Sequence, residues 1–136
     1  MLCDYGTRGK DRLAIGRGFV IKSDYYNGIN LAYLLNVRGA LSTGYQAIAD
    51  FVQAERVRHQ VIKICSGLLT SDFFSRTDRY WIVATLEEAY YGVGNTEKYE
   101  EFRAKAEQMS ADNGERRTTR DQLQKLAKLL ENSPLV

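Results

Sequence analysis

The sequence predicts an all-α fold of about five helices arranged as antiparallel pairs. Three observations carry that expectation. The chain holds one proline among 136 residues, Pro134, so almost no segment is barred from helix. Apolar residues recur at three- and four-residue spacing in successive segments, each bounded by Gly, Asn, Ser or Asp. No stretch of any length alternates apolar and polar residues as a half-buried strand does.

The elements follow in order. Residues 1–22 carry Gly6, Gly9, Gly16 and Gly18, which interrupt any regular element, and form a glycine-rich N-terminal segment. Residues 23–132 form the helical domain. Ser23 or Asp24 can cap a first helix with Tyr26, Ile29, Tyr33 and Val37 on one face and Leu31, Leu34 and Leu35 on the other. A longer helix from about Thr43 to Leu69 shows a stripe of Tyr45, Ile48 and Val52, then Val61, Ile64, Cys65 and Leu68. Its polar middle, Gln53 to Gln60, reads as solvated. The segment TSDFFSRTD at 70–78 reads as a loop that exposes Phe73 and Phe74. A third helix, about Thr77 to Val93, offers Tyr80, Trp81, Ala84, Leu86, Ala89 and Tyr90 for packing. Asn95 or Thr96 caps a fourth, with Tyr99, Phe102, Ala106 and Met109 as its stripe. Asn113-Gly114 reads as a stop. The last helix, about 115–131, sets Leu123, Leu126, Ala127 and Leu130 opposite Arg116, Arg117, Arg120, Lys125 and Lys128; it is expected to cap the stack, its leucines covering the fourth helix.

Composition bounds the function. Hydrophobic residues make up 44% and charged residues 26%, as in ordinary globular domains, and the length suits one core. Nineteen basic and 17 acidic side chains give a formal charge of +2, too near balance to imply nucleic acid by itself. Cys3 and Cys65 make neither a disulfide framework nor a metal-ligand spacing. No apolar run approaches the length of a membrane helix, and the first residues lack a signal-peptide core, so a cytoplasmic protein is expected.

Two segments carry a resemblance to known repeats. LEEAYYGVGNTEKYEEFRAKA, from Leu86, is similar to a tetratricopeptide repeat, with Leu, Tyr and Gly on the first helix and Ala106 on the second. Glu87 departs from that pattern, standing where a small residue is expected, and so does Tyr99. The first two helices repeat the spacing through Leu31-Ala32, Leu35 and Gly39, but Gly39 and Gly94 lie further apart than the roughly 34 residues of a regular array. The fold is therefore expected to be an irregular tetratricopeptide-like α-α superhelix. YNGINLAYLLNVRG at 26–39, a long helix, and YWIVATLEEAYYGVGN at 80–95 further resemble the TRAF-binding domain of apoptosis signal-regulating MAP kinase kinase kinases and its bacterial relatives. The upstream LCDYGTRGKDRL echoes a Cys-Gly-Arg…Lys-Asp element of that family, interrupted by extra glycines. The resemblance covers residues 1–110 and implies a helical regulatory module; it transfers a framework and no ligand-binding residue.

Catalytic and cofactor readings find little support. Gly6-Thr-Arg-Gly9-Lys10 has two residues between its glycines where a phosphate loop has four, and Gly16-Arg-Gly18 lacks a third glycine. The one histidine, His59, has no ligand cluster beside it, and Cys65 lies on an apolar stripe as a buried thiol. Glu87 and Glu88 are adjacent on a helix, point about 100° apart and do not face each other; Glu87 is expected to sit between helices with an arginine such as Arg103. No catalytic, metal or cofactor-binding residue is assigned, and the chain is not expected to be an enzyme. The aromatic supply is more telling: Tyr25-Tyr26, Phe73-Phe74 and Tyr90-Tyr91 are adjacent pairs, and one of each pair must leave the local core. A protein-protein interaction module follows, with Tyr25, Phe73, Phe74, Tyr91, Arg116, Arg117 and Arg120 as candidate contact residues, and a second copy or another protein as partner. The alternative is a nucleic-acid-binding module that uses the basic last helix. Membrane binding is not expected.

Overall fold

The computed structural model describes residues 24–71, 73–110 and 113–135. The glycine-rich segment, with Cys3 and both glycine motifs, lies outside them. Among the described residues the protein is all-α: α1 (Tyr25–Ala40), α2 (Gly44–Thr70), α3 (Arg79–Gly92), α4 (Thr96–Met109) and α5 (Asn113–Glu131), with a 3-10 turn at Phe73–Ser75. None of these helices is long and apolar enough to cross a membrane.

Helix starts follow local chemistry. Asp24 caps α1 by accepting from the Asn27 amide, and Asn95 caps α4 by accepting from the Lys98 amide. Asp78 precedes α3 without capping it, because its carboxylate is taken by Arg76 and by the Tyr25 hydroxyl, 2.6 Å away. Gly94 adopts φ +80 and turns the chain from α3 into α4 within three residues. Asn113-Gly114, expected as a stop, instead opens α5.

Two antiparallel hairpins, α1–α2 and α3–α4, stack through α2 and α3, and α5 lies across α1 and α3. The expectation that α5 covers the fourth helix is corrected here: Leu126, fully buried, belongs to a face shared with α1 and α3. At the α1–α2 turn Gly39 is obligatory, since a Cβ there would stand 2.7 Å from a Phe51 ring carbon. The core joins Ile29, Ala32, Ala54, Val57, Val61, Cys65, Ile82, Val83, Leu86, Ala89, Phe102 and Ala106.

The packed faces differ from the expected stripes. On α1 the buried side is Tyr25, Gly28, Ile29, Ala32, Asn36 and Gly39, while Tyr26 stands out. On α2 it is Ala47, Asp50, Phe51, Ala54, Val57, Arg58, Val61 and Cys65; the middle keeps Gln53, Glu55, Arg56, His59 and Gln60 exposed but turns Arg58 inward with Ala54 and Val57, and Tyr45, Ile48 and Val52 face outward. Trp81 and Met109 are partly exposed as well. Small residues on α1 and α3 let the helices approach closely, and this draws in the polar side chains that share their faces.

Candidate functional site

The joint of α2, α3 and α5 holds a layer of buried charge. Glu87 and Glu88 belong to α3, whose residues Ile82 to Ala89 are all buried, with α1, α2, α4 and α5 packed around them. That is how adjacent residues, pointing apart, are both inside. Glu87 is fully enclosed and accepts from both ends of the Arg116 guanidinium, at 3.0 and 3.5 Å. Arg116 also reaches Glu107 at 3.6 Å. Its Nη1 donates to the Tyr80 hydroxyl at 3.2 Å. Thr119 directs its own proton to the Glu115 carbonyl, so Tyr80 donates to Thr119 across 2.8 Å. A single directed chain thus runs Arg116 to Tyr80 to Thr119 to the α5 backbone, and it pins α5 onto α3. Glu87 takes Arg116 as its partner; Arg103, the expected one, lies on the surface with Glu100 and Glu107.

Glu88 is paired more weakly. It accepts from Gln122 of α5 at 3.3 Å, and burial pushes its carboxyl up to about 7. Burial raises Glu87 too, against the opposing pull of Arg116. For Arg116 burial works against the charge, but its bonds to Glu87 and Tyr80 outweigh it and raise the guanidinium further. Arg58, from α2, is fully buried and its three guanidinium nitrogens have no hydrogen-bond partner among the described residues. Burial pulls it down to about 10, with Glu88 and Glu55 offsetting part of that cost. Room for it comes from Gly92, one turn beyond Glu88, where a Cβ would collide with Arg58 Nε. Asn36 of α1 is likewise buried with both amide atoms unpartnered among the described residues. The Tyr25–Asp78 bond ties the start of α1 to the start of α3.

The layer holds charges of both signs: Arg116 and Gln122 of α5 lie on Glu87 and Glu88, and Arg58 is enclosed beside Gly92, so all three are buried. Metal binding gains nothing: no group of three or more His, Cys, Asp or Glu residues is placed to hold an ion among the described residues. Cys65 is a buried thiol pushed up to about 12 by its surroundings, which keeps it protonated and inert. His59 is exposed.

The seven candidate contact residues do not converge on one surface. Tyr25 is buried and bonded to Asp78, and Phe73 packs against the core. Phe74 stands 84% exposed, edge-on to Phe73. Tyr91 is half-buried against Tyr99. Arg116 is committed to Glu87, whereas Arg117 and Arg120 face solvent. Sequence reasoning missed Arg58, Asn36, Gln122 and the Tyr80–Thr119 contact. Only Arg58 left a trace, since it continues the Phe51, Ala54, Val61, Cys65 spacing on α2. No family model, curated protein or solved structure matches the chain.

Proposed function

We propose that this chain is a non-catalytic protein-binding module whose working parts are apolar side chains held outward on a braced helical frame. The observation that carries the reading is an inversion of the usual placement. Glu87, Glu88 and Arg58, the ionisable groups that burial perturbs, are closed inside, while Tyr26, Leu41, Tyr45 and Phe74 are more than half exposed. Aromatic and large apolar side chains standing out on rigid elements are the favoured anchors of protein interfaces. A cytoplasmic signalling role, as the TRAF-binding-domain resemblance implies, is one form of this reading: such a module recruits a partner without acting on it. The nucleic-acid alternative loses Arg116 to the interior and rests on Arg117, Arg120, Lys125 and Lys128.

In-solution cross-linking followed by affinity capture tests the proposal on the wild-type chain and on Tyr45→Asp and Phe74→Asp. The expected outcome is a defined set of protein cross-links, own copies included, that at least one of these variants loses at unchanged thermal stability. Cross-links indifferent to both substitutions, or salt-sensitive RNA or DNA retention in their place, would overturn it.

A further inference from the structure

Two buried side chains of the stack keep polar atoms that no described residue bonds, and helix register brings them together. Arg58 of α2 is fully buried with its Nε, Nη1 and Nη2 unpartnered among the described residues; Asn36 of α1 is 1% exposed with both amide atoms in the same condition. Gly39 of α1 lies against Asp50 and Phe51 of α2, and Arg38 pairs with Asp50. In an antiparallel hairpin this register sets Asn36 level with Ala54, one turn before Arg58. A helical side chain leans over the turn on its N-terminal side, so Arg58 leans towards Ala54 and Asn36. The residues around this point are small: Ala32 and Ala54 are fully buried, and Gly92 of α3 lies against the guanidinium. No carboxylate among the described residues closes on it. Glu55 stands on the exposed side of α2, and Glu88, one turn before Gly92, leans away along α3 and takes Gln122 of α5. Both favour the Arg58 charge from a distance, and neither is bonded to it.

We propose that Arg58 and Asn36 together hold a small monovalent anion of the chloride class at the joint of α1, α2 and α3. The chemistry of the donors selects this ligand. A guanidinium carries five N–H donors and no acceptor, and a buried cation without an acceptor is among the costliest groups a core can hold. Asn36 adds a neutral N–H donor on the same side, which turns a single charge into a two-sided cradle. Ala32 and Ala54 wall the site closely, and a second negative charge would have to be buried without a cation to match it, so sulfate and phosphate are disfavoured. A bound anion ties α1 to α2 where the two hairpins stack, as Arg116 ties α5 to α3 through Glu87. The site stands apart from the exposed apolar anchors and does not depend on them.

Thermal melting of the full chain tests this, with sodium chloride replacing sodium gluconate from about 5 to about 200 mM at constant ionic strength. At about pH 6 Glu88, pushed up to about 7, is mostly protonated and does not repel the anion. The groups that act on Glu88 are Arg58 of α2, Glu87 beside it on α3 and Gln122 of α5. The expected result is a saturable rise in melting temperature of about 3 °C or more, with chlorine NMR line broadening that saturates over the same range. The rise should shrink at about pH 8.5, where ionised Glu88 competes with the anion, and Glu88→Gln should give the same rise at both pH values. Asn36→Leu should weaken the response, and Arg58→Met should abolish it. If Arg58→Met fails to fold, the line broadening of wild type and the pH-independent response of Glu88→Gln decide the matter. A wild-type chain that melts alike in chloride and gluconate and leaves the chlorine line unbroadened overturns the proposal, since water then serves Arg58. An Arg58→Met chain that responds as wild type does also overturns it.

Discussion

Glu87 and Glu88 show how much two neighbours on one helix can differ. Glu87 has a guanidinium on both oxygens, so its charge is matched inside the fold. Removing that match by Arg116→Ala leaves a buried carboxylate alone and should cost about 3–5 kcal/mol, read from chemical denaturation. Replacing both partners at once, Glu87→Leu with Arg116→Met, should recover most of it. Glu88 has a weak amide donor and a distant cation, and its carboxyl is pushed up to about 7 by burial. A folded pKa above the unfolded value of roughly 4.3 means that the folded state holds a proton the unfolded state has released. Stability should therefore fall as pH rises from about 5 to about 7.5, by up to about 3 kcal/mol, and Glu88→Gln should flatten that slope. Raised Glu87 acts in the same direction. Lowered Asp50 and Asp78 act oppositely, and only at pH values below the ordinary carboxylate range. Melting temperature measured against pH for wild type and Glu88→Gln checks the sign. At Gly92 any side chain collides with Arg58, which is enclosed and has nowhere to swing; Gly92→Ala should cost about 1–3 kcal/mol.

At the scale of elements, most ends were legible, although Asn113-Gly114 opens a helix where a stop was expected, and faces were not. Asp24, Asn95 and Gly94 act within a few residues of themselves, so their roles can be read from the string alone. Asn95→Ala should remove one cap and about 1 kcal/mol, seen as a small loss in denaturation midpoint. Which face of a helix is buried depends instead on its neighbours. On α2 the rows Tyr45-Ile48-Val52 and Phe51-Ala54-Arg58-Val61-Cys65 are equally periodic, and the more apolar start belongs to the exposed one. Burial went to the row with Asp50 and Arg58, because Gly39 and Gly92 on other helices make room there. Glu87 was legible as an acid out of place; its partner was not, since Arg103 is near in sequence and Arg116 is near in space. For α5 the basic residues drew attention to solvent, while Leu126, Thr119 and Gln122 decide where it sits. Leu126→Ala should cost about 2–4 kcal/mol and raise amide exchange along α5 first.

For the whole molecule, the all-α class followed from periodicity and from the near absence of proline, and the stacked hairpins follow from short turns. The assignment of roles between inside and outside could not be read that way, because it depends on where α5 lies across α1 and α3. That placement closes the charged layer and leaves the outer face of α2 open. Two sets of residues therefore have separate roles in this account: the layer of Arg58, Glu88 and Gln122 sets stability and its pH dependence, and the exposed apolar side chains, Tyr45 and Phe74 among them, are the proposed protein-binding anchors. The most direct measurement compares Glu88→Gln and Tyr45→Asp in one cross-linking and capture experiment at pH 7.5. Glu88→Gln is predicted to associate as wild type does, and Tyr45→Asp to lose association at an unchanged melting temperature. Association lost with Glu88→Gln and kept with Tyr45→Asp would contradict this division, and would move the working surface to the layer beneath α5.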